Sequence, residues 1–177
     1  KAVIAKTPFA APKRKAPWID HEGKSIGDSG FIIDYLRTRF AVDPDAHLTP
    51  AQRGTSLALR RLIEENLYWT MVHDRWVVDR NWKVFRNVVL AGVPAAARVA
   101  IAPMARRGVR QQLRGHGIGL HTGDEIHAIG IRDIGALADT LGDKPYFLGD
   151  KPTEIDAVAY GQLVNIMNVP LDSPVKD

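Results

Sequence analysis

The sequence contains no cysteine among its 177 residues. These residues therefore form no disulfide, supply no thiolate ligand to a metal ion and provide no cysteine nucleophile. A chain without disulfides fits a reducing compartment, and we expect a cytoplasmic protein.

Long hydrophobic runs are also absent. The longest apolar tract, residues 88–105, is interrupted by Pro94, Arg98 and Pro103, whereas a membrane-spanning helix needs about 20 apolar residues. We therefore expect no membrane span. The composition, 45% hydrophobic and 25% charged residues, is typical of a globular protein with room for one large domain or two small ones.

Acidic residues are missing from one stretch of the chain. Residues 80–123 contain eight Lys or Arg and no Asp or Glu. Such a stretch is typical of a surface for phosphate, nucleic acid or an anionic membrane, and also of a face that is solvated or paired with acids elsewhere in the fold. The net charge of +4 is modest for a nucleic-acid-binding protein, and we expect no nucleic-acid partner.

The most informative stretch of the sequence is 15–36. Two short apolar segments on either side of a turn glycine predict a β-hairpin. The apolar residues that follow recur at helical spacing and predict a helix that begins at Asp28 and Ser29. The free N–H groups and positive dipole end of such a helix favour a ligand carboxylate, while the Asp28 carboxylate suits an ammonium group. The pair therefore suits an amino-acid headgroup, or it serves only to cap the helix.

A proline precedes this hairpin. Pro17 has no backbone N–H, and proline is the residue type that forms cis peptide bonds. A cis bond at this position would leave the backbone of Ala16 free to pair with an extended peptide ligand. The alternative is that Pro17 only bounds the strand.

The rest of the chain predicts mainly helices. Residues 41–48 have the composition of a linker. Thr49, Pro50 and Gln52 then form the capping box of a helix that continues for about 25–30 residues, through Trp76. Such a helix is long for a small domain.

Prolines and a short apolar run mark further elements. The run Ala2–Ala5 predicts a strand. Pro94 is expected to start another helix, and Pro103 is expected to kink it.

Two later segments carry helix caps. Thr122 and Glu125 form a second capping box, and Asp133 is expected to cap a helix that ends near residue 142. Thr153 and Asp156 form a variant of the same box before a helix that runs towards residue 167, and such a cap typically contributes about 1 kcal/mol.

In chain order, the Pro17 step, the Asp28-Ser29 pair and the Thr153–Asp156 cap resemble three landmarks of glutathione transferases. The resemblance covers nearly the whole chain. It implies an α/β plus all-α fold that is predominantly helical overall, with a partial thioredoxin-like domain followed by a transferase-type helical domain. In that family the Thr153–Asp156 motif serves folding and not chemistry.

The resemblance also implies a domain organisation. A thioredoxin-like, glutathione-binding domain would occupy 1–40, a linker 41–48 and an all-helical domain 49–177. The first strand and helix of the thioredoxin-like domain are expected upstream of Lys1, and the last helix of the family is expected beyond Asp177.

Glutathione is the co-substrate that the resemblance implies. By that resemblance Ala16, at the cis-proline step with Pro17, would pair with the cysteinyl backbone of glutathione, and Asp28 and Ser29 would hold its γ-glutamyl end. Glu or Gln often precedes the Ser in the family, so Asp28 is a variant. The family residue that activates the thiol is expected upstream of Lys1, and no residue of this chain is assigned that role.

The long helix lines the electrophile pocket in the transferase arrangement. By the resemblance, Trp69, His73 and Trp76, which recur near one face of this helix, are candidates for an apolar substrate wall. The alternative is that the two Trp residues belong to the core and that His73 is a satisfied interface histidine.

The other histidines show no spacing typical of metal ligands, and we predict no metal site. They are His21, His47, His116, His121 and His127.

More narrowly, three segments resemble the failed-axon-connections and metaxin-like branch of the family, which includes interaction and import components. These segments are Glu64–Trp76, Val109–His121 and Leu141–Phe147.

Three functional hypotheses follow. The first is a glutathione-transferase-like enzyme that conjugates or reduces a small hydrophobic electrophile, as a homodimer in keeping with the family's habit. The second is a noncatalytic interaction or adaptor protein on the same scaffold. The third, less favoured, is an electrostatic binder of nucleic acid or a membrane surface that uses the arginine-rich segment 80–123.

Overall fold

The computed structural model describes residues 11–13 and 16–176, and the chain divides into two compact units, Lys1–Ala46 and His47–Asp177. The first unit is α/β in its described residues and the second is helical. The strand predicted at Ala2–Ala5 lies outside the described residues.

A β-hairpin forms the sheet in the described part of the first unit. Strand β1 (Trp18–His21) pairs antiparallel with β2 (Lys24–Gly27). Glu22 and Gly23 connect them with φ angles of 49° and 77°, and two successive positive φ angles give the turn the twist that a two-residue hairpin requires. The predicted hairpin and its turn are confirmed.

Helix α1 (Ser29–Phe40) follows the hairpin and ends at Ala41 in the left-handed region. His21 Nδ1 lies 2.8 Å from the Tyr35 hydroxyl, which ties the hairpin to the helix. Ion pairs of Arg37 with Asp43 and Asp45, at 2.9 and 3.0 Å, fasten the loop that follows α1. These contacts tie the hairpin to the middle of α1 and hold the loop that follows the helix.

The second unit begins with the predicted long helix. It is continuous as α2 (Pro50–Arg61), a π-helical segment (Leu62–Leu67) and α3 (Tyr68–Trp76). The capping box between Thr49 and Gln52 is present, with the Thr49 N–H donating to Gln52 Oε1 at 3.0 Å. The long helix is therefore confirmed, although a π-helical turn that the sequence pattern does not indicate interrupts it.

Two helices occupy the arginine-rich segment. Helix α4 (Asp79–Val89) was not expected as a separate element, whereas α5 (Ala95–His116) starts directly after Pro94, as expected. Pro103 lies inside α5, and the kink expected there stays a prediction. A short 3₁₀ turn (Ile118–Leu120) leads from α5 to the next helix.

The last two helices are α6 (Gly123–Leu141) and α7 (Glu154–Met167), followed by a 3₁₀ turn (Pro174–Lys176). The Thr122–Glu125 capping box is present at the start of α6. The expectation that Asp133 caps a helix was wrong, because α6 is continuous through this position and Asp133 is buried in its middle.

Reciprocal hydrogen bonds hold the start of α7. The Thr153 N–H and hydroxyl both donate to Asp156 Oδ2, at 2.8 and 2.7 Å, and the Phe147 N–H donates to Asp156 Oδ1 at 2.9 Å. One carboxylate therefore fixes both the helix start and the preceding loop.

Two hydrophobic clusters form the core of the second unit. The larger one joins α2, the π-helical segment, α6 and α7; its buried members are Leu59, Ile63, Leu67, Leu137, Phe147, Ile155, Ala159, Ile166 and Val175. The smaller one joins α3, α5 and α6; its buried members are Val72, Leu113, Ile118 and Ile126. The full burial of a side chain such as Leu or Ile contributes roughly 1.5–3 kcal/mol.

Within the described residues, no helix combines the length and the apolar character needed to cross a lipid bilayer.

Candidate functional site

The residues predicted for glutathione meet at the start of α1. The Ala16–Pro17 peptide bond is cis, and the backbone N–H of Asp28 donates to the Pro17 carbonyl at 3.2 Å. Ala16, Pro17 and Asp28 are exposed and Ser29 is half-buried. The structure therefore brings the four predicted residues to one accessible place in the first unit.

Asp28 occupies the N-cap position of α1. Its Oδ1 accepts a hydrogen bond from the Gly30 N–H at 3.0 Å, and its carbonyl accepts from the Ile32 N–H at 3.0 Å. Its φ angle of 87° is rare for a residue with a Cβ, and such positions typically cost about 1–3 kcal/mol and cluster at functional sites. Asp28 therefore does cap α1, which was the alternative to a ligand site. Its strained backbone is a separate feature, because a helix cap does not require a positive φ angle.

The start of α1 presents both signs of charge to a ligand. The N–H groups of the first helical turn and the positive dipole end attract a carboxylate, while the exposed Asp28 carboxylate attracts an ammonium group. An amino-acid headgroup carries both groups. Among the described residues gathered here, none is assigned the activation of a thiol.

The predicted substrate-wall residues lie in different surroundings. Trp69 stacks on His116 with ring centroids 4.7 Å apart, and Trp76 stacks on Trp82 at 5.1 Å. Both Trp residues pack against the smaller hydrophobic cluster. Their role in substrate binding stays a prediction beside the packing role that these contacts give them.

His73 is the member of that trio that lines a cleft. The cleft has a volume of about 310 Å³ and its lining includes His73, His121 and the arginines Arg110 and Arg114, but neither Trp69 nor Trp76. The lining combines these basic side chains with the apolar side chains of Val77, Leu113 and Ile126, and the substrate role of His73 stays a prediction.

A buried carboxylate between two histidines escaped the sequence analysis. Asp74 Oδ1 lies 3.3 Å from His73 Nδ1 and 2.7 Å from His127 Nε2, and Asp74 Oδ2 accepts a hydrogen bond from the Ser173 hydroxyl. These residues come from α3, α6 and the C-terminal segment, and no spacing along the sequence signals that they meet.

Asp74 carries its charge in this buried place. Burial raises the pKa of Asp74, but hydrogen bonds from His73, Ser173 and His127 outweigh that effect. The pKa therefore lies below its ordinary value of 3.8, and the carboxylate is ionised at neutral pH.

The arginine-rich segment forms a wide groove between α4 and α5. It has a volume of about 780 Å³, and the described residues that line it include no acidic side chain. Part of its charge is used within the fold, because Arg106 donates to the Trp76 and Val77 carbonyls at 2.7 and 2.8 Å and pairs with Asp79 at 2.6 Å. Its remaining arginines are Arg86, Arg98, Arg107 and Arg110.

Comparison with known proteins places both ends of the chain in one family. Residues 2–81 match the family model of the glutathione S-transferase N-terminal domain, and residues 130–177 match that of the glutathione S-transferase C-terminal domain. No solved structure matches the chain.

Three relatives show the range of the similarity. Isoprene-epoxide–glutathione S-transferase of Rhodococcus sp. (strain AD45) is 36% identical over 90% of this chain and 68% of its own length. Failed axon connections of Drosophila melanogaster is 29% identical over 96% of this chain and 43% of its own length. Metaxin-2 of Homo sapiens is 22% identical over 94% of this chain and 64% of its own length. The chain thus spans less than two thirds of the second and third relatives.

These matches confirm the expected fold class, a partial thioredoxin-like domain followed by a transferase-type helical domain. The Rhodococcus transferase is 36% identical to this chain over an alignment that covers most of both proteins, and two models of one family match the two ends of the chain. This chain therefore belongs to the glutathione S-transferase family.

Proposed function

We propose that this protein binds reduced glutathione at the start of α1 and conjugates it to, or uses it to reduce, a small hydrophobic electrophile. The Ala16 backbone pairs with the cysteinyl part of glutathione, next to Pro17. Asp28 holds the α-ammonium group, and Ser29 with the first N–H groups of α1 holds the α-carboxylate. The proposal includes a cytoplasmic homodimer and the division into a glutathione-binding domain at 1–40 and a helical domain at 49–177.

One observation carries this proposal: the hydrogen bond from the Asp28 N–H to the Pro17 carbonyl joins the cis-proline step to the strained, exposed helix start. This arrangement places the backbone of the cis-proline step, a carboxylate and the positive end of a helix dipole within reach of one ligand. The similarity to an enzyme whose name states an epoxide and glutathione supports the same conclusion and makes a small epoxide the first electrophile to test.

Calorimetric titration of the full-length protein with reduced glutathione tests the binding step. We expect saturable binding that Ser29→Ala and Asp28→Asn abolish or weaken strongly. Thr38→Ala is the matched control, because Thr38 lies near the other end of α1 and its exposed hydroxyl bonds only to the Asp34 carbonyl, at 2.9 Å, among the described residues. Absence of binding to the folded wild-type protein, or equal binding by all three variants, overturns the proposal.

The second candidate is a noncatalytic adaptor on the same scaffold. It is favoured by the similarity to Failed axon connections and Metaxin-2, which covers almost the whole chain. Under this reading the protein binds no glutathione, and substitutions at Asp28 and Ser29 leave its associations unchanged. The same titration therefore separates the two candidates.

A further inference from the structure

Three potential metal ligands converge inside the second unit, outside the proposed glutathione site. His73 and Asp74 are consecutive on α3, and His127 lies on α6. One donor atom from each lies within 4.8 Å of the others. The two histidine nitrogens approach the same carboxylate oxygen, Asp74 Oδ1, so the three donors face a common point.

The buried Asp74 carboxylate suits a cation as an additional partner. The Asp74 side chain is 8% exposed, and a buried carboxylate is stable only when a counter-charge and hydrogen bonds compensate its lost hydration. Among the described residues no Lys or Arg pairs with Asp74; the next residue, Arg75, donates instead to the Asn165 carbonyl at 2.6 Å. The partners of the carboxylate are two imidazoles and a hydroxyl.

The surroundings supply the support that metal ligands usually have. Ser173 holds Asp74 Oδ2 and so fixes the orientation of the carboxylate. Behind it lies a cavity of about 20 Å³, which is enough for one water molecule. Its lining includes Thr70, Asp74 and Ser173 beside several apolar side chains. Thr70 Oγ1 is buried and has no hydrogen-bond partner among the described residues, so a water in this cavity would satisfy it.

The cluster also has a route to solvent. His73 lines the 310 Å³ cleft described above, and the His127 side chain is 16% exposed. An ion can therefore enter without unfolding of the unit, and a water can complete its coordination from the cleft side.

We propose that His73, Asp74 and His127 form a binding site for a divalent transition-metal ion, with Zn²⁺ as the expected occupant. Two imidazoles and one carboxylate are typical of open Zn²⁺ sites, in which a water takes the fourth position. Tetrahedral ligands at about 2.0–2.1 Å from Zn²⁺ lie roughly 3.3 Å from one another. His73 Nδ1 and Asp74 Oδ1 already have this spacing, whereas His127 Nε2 has to move away from Asp74 Oδ1. To hold the ion, His73 Nδ1 and His127 Nε2 must each be free of a proton, which the neutral imidazole allows when its proton lies on the other ring nitrogen.

This proposal is independent of glutathione binding, and it departs from the sequence-based prediction that the chain has no metal site. That prediction considered only spacing along the chain, whereas His127 lies 53 positions after Asp74. The alternative occupant of the site is a proton shared between the carboxylate and the imidazoles, and the experiment separates the two.

The test is calorimetric titration of the untagged full chain with Zn²⁺, repeated with Co²⁺ as a spectroscopic probe. We expect one ion per chain, Co²⁺ absorption in the visible range, and a Zn²⁺ affinity at least about tenfold weaker in His127→Gln. Ser173→Ala should weaken binding about 10–100-fold, as loss of a residue that orients a ligand typically does. The matched control is His47→Gln, an exposed histidine outside both the cluster and the cleft, which should bind Zn²⁺ like the wild type.

Absence of stoichiometric binding to the wild-type protein overturns the proposal, as does equal weakening by His127→Gln and His47→Gln. If the His127 variant does not fold, the wild-type protein still decides the question by NMR of the histidine side chains. Zn²⁺ should shift the signals of His73 and His127 and leave those of His47 and His116 in place; any other pattern contradicts the site.

Discussion

The side-chain amide of Asn66 donates a 2.8 Å hydrogen bond to Asp133 Oδ2, which joins the π-helical segment to the middle of α6. Burial raises the pKa of Asp133 above its ordinary value of 3.8, against the opposing effects of the Asn66 hydrogen bond and the Arg132 charge. The folded protein therefore holds the Asp133 proton more tightly than the unfolded chain does.

Asp133→Asn should make the protein more stable at neutral pH. As the pH rises above 3.8, the unfolded chain loses the Asp133 proton before the folded protein does, so the wild type loses stability through this window. An asparagine has no such proton to lose and can still accept the hydrogen bond from Asn66 through its oxygen. Urea unfolding at pH 7 and at pH 3 measures the difference, which should vanish at the lower pH.

Asp139→Asn is the control for this prediction, since Asp139 is exposed on the same helix. It should change the free energy of unfolding by less than about 0.5 kcal/mol at either pH. A stability gain in Asp133→Asn that is equally large at pH 3 would assign the effect to packing and not to proton binding.

Gly130→Ala should destabilise the second unit by about 1–3 kcal/mol. A Cβ at Gly130 would lie 2.7 Å from Thr70 Cγ2, and Thr70 is fully buried, with little room to move. The change therefore forces α6 away from α3. Thermal unfolding monitored by circular dichroism gives the measurement.

Gly135, one turn and a half further along α6, provides the opposite case. No atom lies within 4 Å of a Cβ built there, so Gly135→Ala should stabilise the helix by about 0.5–1 kcal/mol. Two Gly→Ala changes on one helix should thus have opposite signs, and the same sign for both would contradict the close contact with Thr70.

Asp156→Ala should cost about 2 kcal/mol or more. It removes hydrogen bonds to the Thr153 N–H, the Thr153 hydroxyl and the Phe147 N–H, and a buried donor left without a partner costs about 1–3 kcal/mol. The comparison is Glu125→Ala, which breaks the same pattern in the exposed cap of α6. That change should cost less than Asp156→Ala, because the donors it leaves are open to water, and equal losses in urea unfolding would mean that the loop contact at Phe147 adds nothing.

Local features of this fold could be predicted because their partners lie close together in the sequence. The caps that begin with Thr49, Thr122 and Thr153 depend on residues three positions apart, and the structure contains all three. The hairpin turn at Glu22 and Gly23 depends on adjacent residues. All the residues that form such a cap or turn lie within about four positions of one another, so the sequence alone shows them.

Features that depend on distant partners could not be predicted. Asp133 has the residue type of a cap, but its partner is Asn66, which a local pattern cannot identify. The same holds for Asp74, whose contacts come from α6 and from Ser173. At the candidate glutathione site the sequence supplied the residues, whereas the Pro17–Asp28 hydrogen bond and the strained φ of Asp28 required the structure.

Arg106 and Arg107 are neighbours on α5 that should respond differently to substitution. Arg106 donates to the last carbonyls of α3, at Trp76 and Val77, with a side chain that is 18% exposed. Arg107 is exposed in the groove and makes no such contact among the described residues. We expect Arg106→Ala to cost about 1–3 kcal/mol in urea unfolding, because it leaves the end of α3 uncapped, and Arg107→Ala to cost less than about 0.5 kcal/mol.

Substitution of Arg107 also tests whether the arginine-rich segment is a binding surface. If the groove binds a polyanion, Arg107→Ala should weaken binding to heparin and reduce the salt dependence of that binding, since one fewer charge is neutralised. The substitution leaves the fold intact, so a loss of binding cannot be ascribed to unfolding. The binding surface is contradicted if the wild type does not bind heparin, or if the double variant Arg107→Ala/Arg86→Ala binds it as well as the wild type. The segment would then be a solvated face, and its main role would be the contact of Arg106 with the end of α3.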